Sequence, residues 1–240
     1  MPLNDKAVLV TGASRGLGRA LFREFARAGA RVVGVARDRG AIEAVASELT
    51  AQGFSAQGLA ADLGAQDDIY PIAGAAAALV GPIDVLVHNA SSLGPTPLPL
   101  LLDTACEDFA RVLQVNLLGP FRLSKIIVGN MLLRGHGLVV HVSSDAATSA
   151  YPRWGAYGVS KAALDHLARI WAAELADSGV RFISIDPGEM DTAMHAAALP
   201  DADPASLARP EEVAARIVRF LRAAPPASGQ RWQAAHLEAS

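Results

Sequence analysis

The chain has 240 residues, 51% of them hydrophobic, with a formal net charge of −3 and a single cysteine. That is enough apolar material to bury a sizeable core in one α/β domain over 1–240, and a slightly negative charge without any Lys/Arg-rich run argues against nucleic acid or an anionic membrane as partner. No apolar run reaches membrane-spanning length, Met1-Pro2-Leu3-Asn4-Asp5 does not read as a signal peptide, and the lone Cys106, expected as a small apolar filler, suits a reducing cytoplasm.

The first apolar run, 6–11, reads as a strand entering a glycine-rich turn. Leu17, Leu21, Phe25 and Ala28 then recur at helical spacing, and Gly29 suits the helix end. A strand over 31–36 and a helix over 41–50 follow, then a weaker strand over 55–60 and an alanine-rich helix over 66–79. Residues 84–88 read as a buried strand, and a proline-rich loop over 93–99 leads into one long helical region, 103–133. Next come a strand over 138–142, a helix after Trp154 carrying Leu164, Leu167, Trp171 and Leu175, and a strand over 181–185. Beyond Pro187 the pattern loosens: alanines, prolines and aspartates fill 189–208, a helix over 210–221 has Pro210 in its first turn, and the tail over 225–240 receives no assignment. Strands alternating with helices, without an internal repeat or a long linker, imply a doubly wound parallel β-sheet with helices on both faces, and ligands beyond the carboxyl ends of its strands.

The turn Thr11-Gly12-Ala13-Ser14-Arg15-Gly16-Leu17-Gly18 sits between the first strand and a periodic helix. Glycines let the backbone approach a pyrophosphate, and the helix N-terminus offers it free N–H groups. Tight strand-to-helix turns use glycine anyway, so the context carries the reading. The second strand ends Val35-Ala36-Arg37 with no acid at 36. A carboxylate there suits a free ribose 2′-hydroxyl and cations suit a 2′-phosphate, so Arg37 and Arg15 favour NADP(H) over NAD(H), which stays possible. Asp38 stands against this, by pairing with Arg37 or reaching the ribose itself. Further on, Tyr157 and Lys161 are four residues apart on one helix face. An adjacent ammonium draws a phenol below its usual pKa of about 10, which makes Tyr157 a candidate acid/base.

The ordered set of Thr-Gly-x-x-x-Gly-x-Gly at 11–18, Asp62-Leu63, His88-Asn89-Ala90-Ser91, Asn116, Ser144, Tyr157, Lys161 and Pro187-Gly188 resembles the short-chain dehydrogenase/reductase family over nearly the whole chain. The resemblance implies a Rossmann-like fold and nicotinamide-dependent reduction of a small ketone or aldehyde, or oxidation of an alcohol. It implies Tyr157 as general acid/base, with Lys161 holding the nicotinamide ribose and lowering the phenol pKa. Ser144, thirteen residues before Tyr157, would hydrogen-bond the substrate carbonyl, and Asn116 would anchor a water linked to Lys161. Strand alternation and that spacing both pick Ser144 over Ser143. Gly12, Ser14, Arg15, Gly16, Leu17 and Gly18 would hold the phosphates, with Arg37 nearby. Asp62, Leu63, Asn89 and Ala90 would surround the adenosine half, and Pro187, Gly188 and Thr192 the nicotinamide end.

The sequence also departs from the family pattern. His88 and Ser91 replace the outer members of its usual Asn-Asn-Ala-Gly, and His88 is expected to hydrogen-bond within the core. Asp145 follows Ser144 where small or apolar residues are commoner; it pairs with a neighbour such as Arg153 or contacts a polar substrate, and we favour the pairing. The tail lacks the family's apolar closing strand and runs Gly229-Gln230-Arg231-Trp232-Gln233 to a polar end, so a homodimer through the two long helices is as well supported as a homotetramer. The histidines show no metal-ligand spacing, and no metal is expected. Asp145, Tyr151, Trp154, Glu189, Met194 and His195 are the candidates for a pocket wall, with 189–208 as the substrate loop.

Overall fold

Parallel strands covered on both faces must be apolar throughout, and the strands here are short runs of valine, leucine, isoleucine and alanine. A computed structural model of the chain describes residues 2–223 and 226–237; Met1, residue 224 and, from the tail over 225–240, residues 225 and 238–240 lie outside the described residues. The strands are β1 (Ala7–Thr11), β2 (Arg31–Ala36), β3 (Ala56–Ala60), β4 (Val85–His88), β5 (Gly137–Val142), β6 (Val180–Asp186) and β7 (Arg231–Gln233). They form one sheet in the order β3-β2-β1-β4-β5-β6-β7, with every neighbouring pair parallel.

Alternation along the strands divides the core into two layers. Val8, Val10, Val32 and Ile183 point to α1 (Gly16–Arg27), α2 (Arg39–Ala51) and α8 (Pro210–Ala223). Leu9, Val33, Leu86, Val139 and Phe182 point the other way, to α3 (Ile69–Val80), α5 (Gly119–Arg134) and α6 (Gly155–Glu174). Phe22 and Phe25 of α1 are fully buried, and removing each ring from water stabilises the first layer by about 2–3 kcal/mol. At the amino-terminal edge of β4, Asp84 accepts from the Ala7 N–H at 3.0 Å and from Arg134 at 3.0 Å, which ties β1, β4 and the end of α5 together.

The order reverses between β1 and β4, and a crevice opens there at the carboxyl ends of the strands. Four expectations need correction. The long helix over 103–133 is interrupted: α4 (Cys106–Leu113) runs into a π-helical turn, Gln114–Leu118, before α5. The unassigned tail contains a strand, since β7 pairs with β6 through Ile185 and Trp232, and a short helix, α7 (Ala193–Ala198), lies within 189–208, read as a loop. Cys106 is exposed at the start of α4 and fills no core. His88 is buried in the core with Nε2 at 2.9 Å from Ser124 Oγ, as expected.

Candidate active site

The crevice holds two cavities that meet at Tyr157. The larger, about 640 Å³, follows the first βα turn and the ends of β2, β3 and β4. The smaller, about 320 Å³, lies between the segment after β5 and the segment after β6. Tyr157 and Thr192 line both.

The turn after β1 is built for close approach. Gly12 and Gly16 have φ of +69° and +52°, where a side chain is strained. Arg15 caps α1 without any side-chain hydrogen bond, so the first N–H groups of a twelve-residue helix stay unsatisfied by the chain at the cavity. Asn89, just after β4, fixes this turn: its Nδ2 donates to the Thr11 carbonyl at 2.9 Å and to the Gly12 carbonyl at 3.2 Å. The Thr11 hydroxyl accepts from the N–H groups of Asn89 and Ala90 and donates to the Val87 carbonyl. Ser14, Gly18, Leu17, Arg37, Asp62, Leu63 and Pro187 also line the larger cavity, whereas Gly188 lines the smaller one. Asp38 does not neutralise Arg37. Its Oδ1 accepts from the Ala41 N–H at 3.0 Å and caps α2, and among the described residues neither Arg15 nor Arg37 has an ion pair.

Around Tyr157 the polar groups interlock. Lys161, one turn along α6, is 2% exposed and its Nζ donates to the Val142 carbonyl at 2.7 Å, 5.6 Å from the Tyr157 ring centre. Burial pulls the Lys161 pKa down to about 8, partly offset by the Asp165 carboxylate. Burial pushes the Tyr157 phenol up to about 12; the Ser144 hydroxyl opposes the rise, Asp145 and Asp186 add to it, and Ser91 opposes it. The expectation that Lys161 lowers the phenol is therefore not met in the protein by itself, because the ammonium is turned to a carbonyl and burial dominates.

The two serines after β5 differ in their partners. Both serines line the smaller cavity and Ser143 the larger one as well, but Ser143 Oγ is buried and its proton goes to Asp165 at 2.7 Å. Ser144 Oγ donates to Asp145 Oδ1 at 2.9 Å, and Asp145 Oδ2 accepts from the Tyr151 hydroxyl at 2.9 Å. The favoured Asp145–Arg153 pair does not form: Arg153 donates instead to the Leu98 carbonyl at 3.2 Å. Asp145, Tyr151, Trp154, Glu189, Met194 and His195 all line the smaller cavity, and Trp154 meets Tyr157 edge-on at 5.6 Å.

Asn116 sits in the π turn and its side chain is fully engaged. Oδ1 accepts from the Ser92 N–H at 2.7 Å, and Nδ2 donates to the Ser92 carbonyl and to Ser160 Oγ, each at 2.9 Å. Ser160 Oγ in turn donates to the Tyr157 carbonyl at 2.6 Å. The side chain thus braces the Ser92 loop against α6.

Arg231 was not foreseen. From β7 its guanidinium donates to the Ser144 carbonyl at 2.9 Å, to Asp165 at 3.1 Å and to Asp186 at 3.0 Å. One side chain therefore joins the segments after β5 and β6 to the middle of α6. Its signal in the sequence was only a lone cation in a polar tail, and the three acceptors are scattered from 144 to 186. No group of three or more metal-ligating side chains occurs among the described residues, and no helix there is long and apolar enough to cross a membrane.

Three comparisons with known proteins bear on this site. The family profile described as short chain dehydrogenase matches residues 6–203. Dehydrogenase/reductase SDR family member 4 of Bos taurus is 36% identical over 191 residues, covering 80% of this chain and 68% of that protein. The 7alpha-hydroxysteroid dehydrogenase of Escherichia coli K12 is 32% identical over 190 residues, covering 79% and 73%. A short chain dehydrogenase from Shigella flexneri, solved in complex with NADP, superimposes with a TM-score of 0.90 at 28% identity and covers 98% of each chain.

Proposed function

Because the chain belongs to the short chain dehydrogenase family, we propose that it reduces a ketone or aldehyde to an alcohol, or runs the reverse, with NADP(H) and with Tyr157 as the proton donor. Membership makes it an NAD(P)-dependent oxidoreductase of alcohol and carbonyl groups; the cofactor preference and the residue roles are our reading. The observation that carries it is Tyr157 at the junction of the two cavities, between an anion-ready turn and an apolar-walled pocket.

The larger cavity fits a phosphorylated dinucleotide. Its uncapped helix N-terminus suits a pyrophosphate, and two arginines without carboxylate partners suit a 2′-phosphate. The Shigella relative bound to NADP supports the same preference. Gly12, Ser14, Arg15, Gly16, Leu17 and Gly18 hold the phosphates in this reading, Arg37 the ribose phosphate, and Asp62, Leu63, Asn89 and Ala90 the adenosine half. Pro187, Gly188 and Thr192 hold the nicotinamide end.

A reduced nicotinamide supplies the hydride when bound. The chain's own groups supply the rest. A phenol held un-ionised by burial still carries its proton at neutral pH and delivers it to the oxygen of the reduced carbonyl. Ser144 Oγ fixes that oxygen beside Tyr157 Oη. Lys161, buried yet still charged at neutral pH, holds the ribose hydroxyls and returns a proton to Tyr157. Asn116 keeps the loop and α6 in register for that relay. The segment over 189–208, with α7, forms the substrate wall; we place the enzyme in the cytoplasm as a homodimer or homotetramer.

Affinity for NADPH and NADH in wild type and Arg37→Ala tests the cofactor choice. The proposal expects wild type to favour NADPH and Arg37→Ala to lose about tenfold or more of that preference, the value of one charge-assisted contact. A preference untouched by the substitution overturns it.

A further inference from the structure

The two cavities differ in charge. Arg15, Arg19, Arg37, Lys161 and Arg209 line the larger one, five cations against the three carboxylates of Asp62, Asp191 and Glu211. Among the described residues, no lysine or arginine lines the smaller one, whose carboxylates are Asp145, Asp186 and Glu189. Asp186 is neutralised by Arg231 at 3.0 Å. Asp145 is not: Ser144 and Tyr151 hydroxyls and the Ala146 N–H hold its oxygens at 2.8–2.9 Å, and all three donors are neutral. Glu189 is 67% exposed at the rim; His195 Nε2, buried and without a hydrogen-bond partner, lies 3.7 Å away and pairs with it only when the ring is protonated. Between the two carboxylates the wall is apolar and aromatic, with Leu93, Trp154, Met190, Met194 and Leu199.

We propose that the smaller cavity selects a carbonyl compound with an apolar body and a protonated amine a few bonds from the carbonyl, the ammonium lying against Asp145 and facing Glu189. This rests on the reading above, in which Ser144 and Tyr157 mark the carbonyl position. Asp145 then stands one hydrogen bond further out, which fixes the amine close to the reacting group. A cation suits the site because it meets a carboxylate, Asp145, that only neutral donors hold. An anionic substrate meets like charge from Asp145 and Glu189 and, among the described residues, no lysine or arginine.

The arrangement also couples recognition to chemistry. In the protein the Ser144 proton is committed to Asp145. An ammonium on Asp145 competes for that carboxylate and frees the Ser144 hydroxyl to donate to the carbonyl oxygen. A neutral substrate leaves the Ser144 hydroxyl shared with Asp145, so the amine improves turnover as well as binding.

Three ketones of one shape provide the test: β-dimethylaminopropiophenone as the cation, isocaprophenone as its neutral isostere, and β-benzoylpropionate as the anion. Binding to the protein–NADP⁺ complex is measured by calorimetry, where no reduction can occur, and NADPH oxidation is followed separately. Wild type is expected to bind the cation about fivefold to tenfold tighter than the isostere and the anion most weakly, the scale of one part-exposed charged contact. Asp145→Asn should reduce the cation's advantage to about twofold and improve the anion; Glu189→Gln, on the exposed rim, should shift the order the same way by less. Equal binding of cation and isostere in wild type, or an order unmoved in Asp145→Asn, overturns the inference. Charge-ordered binding without any NADPH oxidation would uphold it and sink the activity reading instead, whereas turnover without charge order would do the opposite.

Discussion

Arg231→Ala removes one guanidinium and leaves three acceptors behind: the Ser144 carbonyl and the Asp165 and Asp186 carboxylates, whose side chains are 6% exposed. Deleting one partner of a buried pair costs about 3–5 kcal/mol, because the remaining charge stays desolvated. Arg231 is itself 24% exposed, so water can reach part of the gap and the lower end, about 3 kcal/mol, applies. For a chain of this length each kcal/mol moves the melting temperature by about 2–4 °C, which gives a fall of about 6–12 °C. Thermal unfolding followed by circular dichroism reads this directly. Arg231→Lys keeps the charge but cannot span three acceptors, so it should fall between the two. A loss of less than about 2 °C in Arg231→Ala would mean that β7 does not anchor the segments around Tyr157.

Other expectations concern Lys161 and the glycine turn. Lys161 titrates at about 8 in the folded chain against 10.5 when unperturbed, so between these values the unfolded chain binds more protons and stability rises with pH. Below about 8 both states are charged and the full burial cost is present; Tyr157, raised to about 12, opposes the rise above 10. Denaturation of wild type against Lys161→Met across this window should show the difference moving in favour of wild type by about 2–3 kcal/mol; a flat difference would contradict the burial of a charged lysine. Gly18→Ala would drive a methyl into the Gly12 carbonyl and the Asn89 amide. It should cost about 1–3 kcal/mol in denaturant unfolding and weaken NADPH binding together, and normal values of both would refute the tight turn.

Apolar runs made most of the sheet legible from the sequence. The strand over 31–36 and the layers on either side follow from burial on two faces, which leaves little choice of residue. The π turn was invisible because Gln114–Leu118 keeps helical periodicity, and only the Asn116 network with Ser92 and Ser160 shows what the extra residue accommodates. β7 escaped notice for a different reason: it is three residues long, at an edge, and held by Arg231 to distant acceptors instead of by apolar alternation. Site composition was largely legible, since the residues singled out line the two cavities, except Asn116, whose side chain is taken up by Ser92 and Ser160. Their pairings were not. Asp145 turned to Ser144 and Tyr151 instead of Arg153, a choice set by the backbone after β5, and the phenol followed burial instead of its charged neighbour.

The central claim is that Tyr157 donates the proton in an NADPH-dependent reduction. Its most direct test compares Tyr157→Phe with wild type, using the ketone of the panel above that wild type reduces fastest, with NADPH affinity measured on the same samples. The account predicts NADPH binding within about twofold of wild type and turnover lower by about 10²–10⁴, the contribution of one positioned acid. Turnover that stays within about tenfold of wild type, with binding intact, would contradict it.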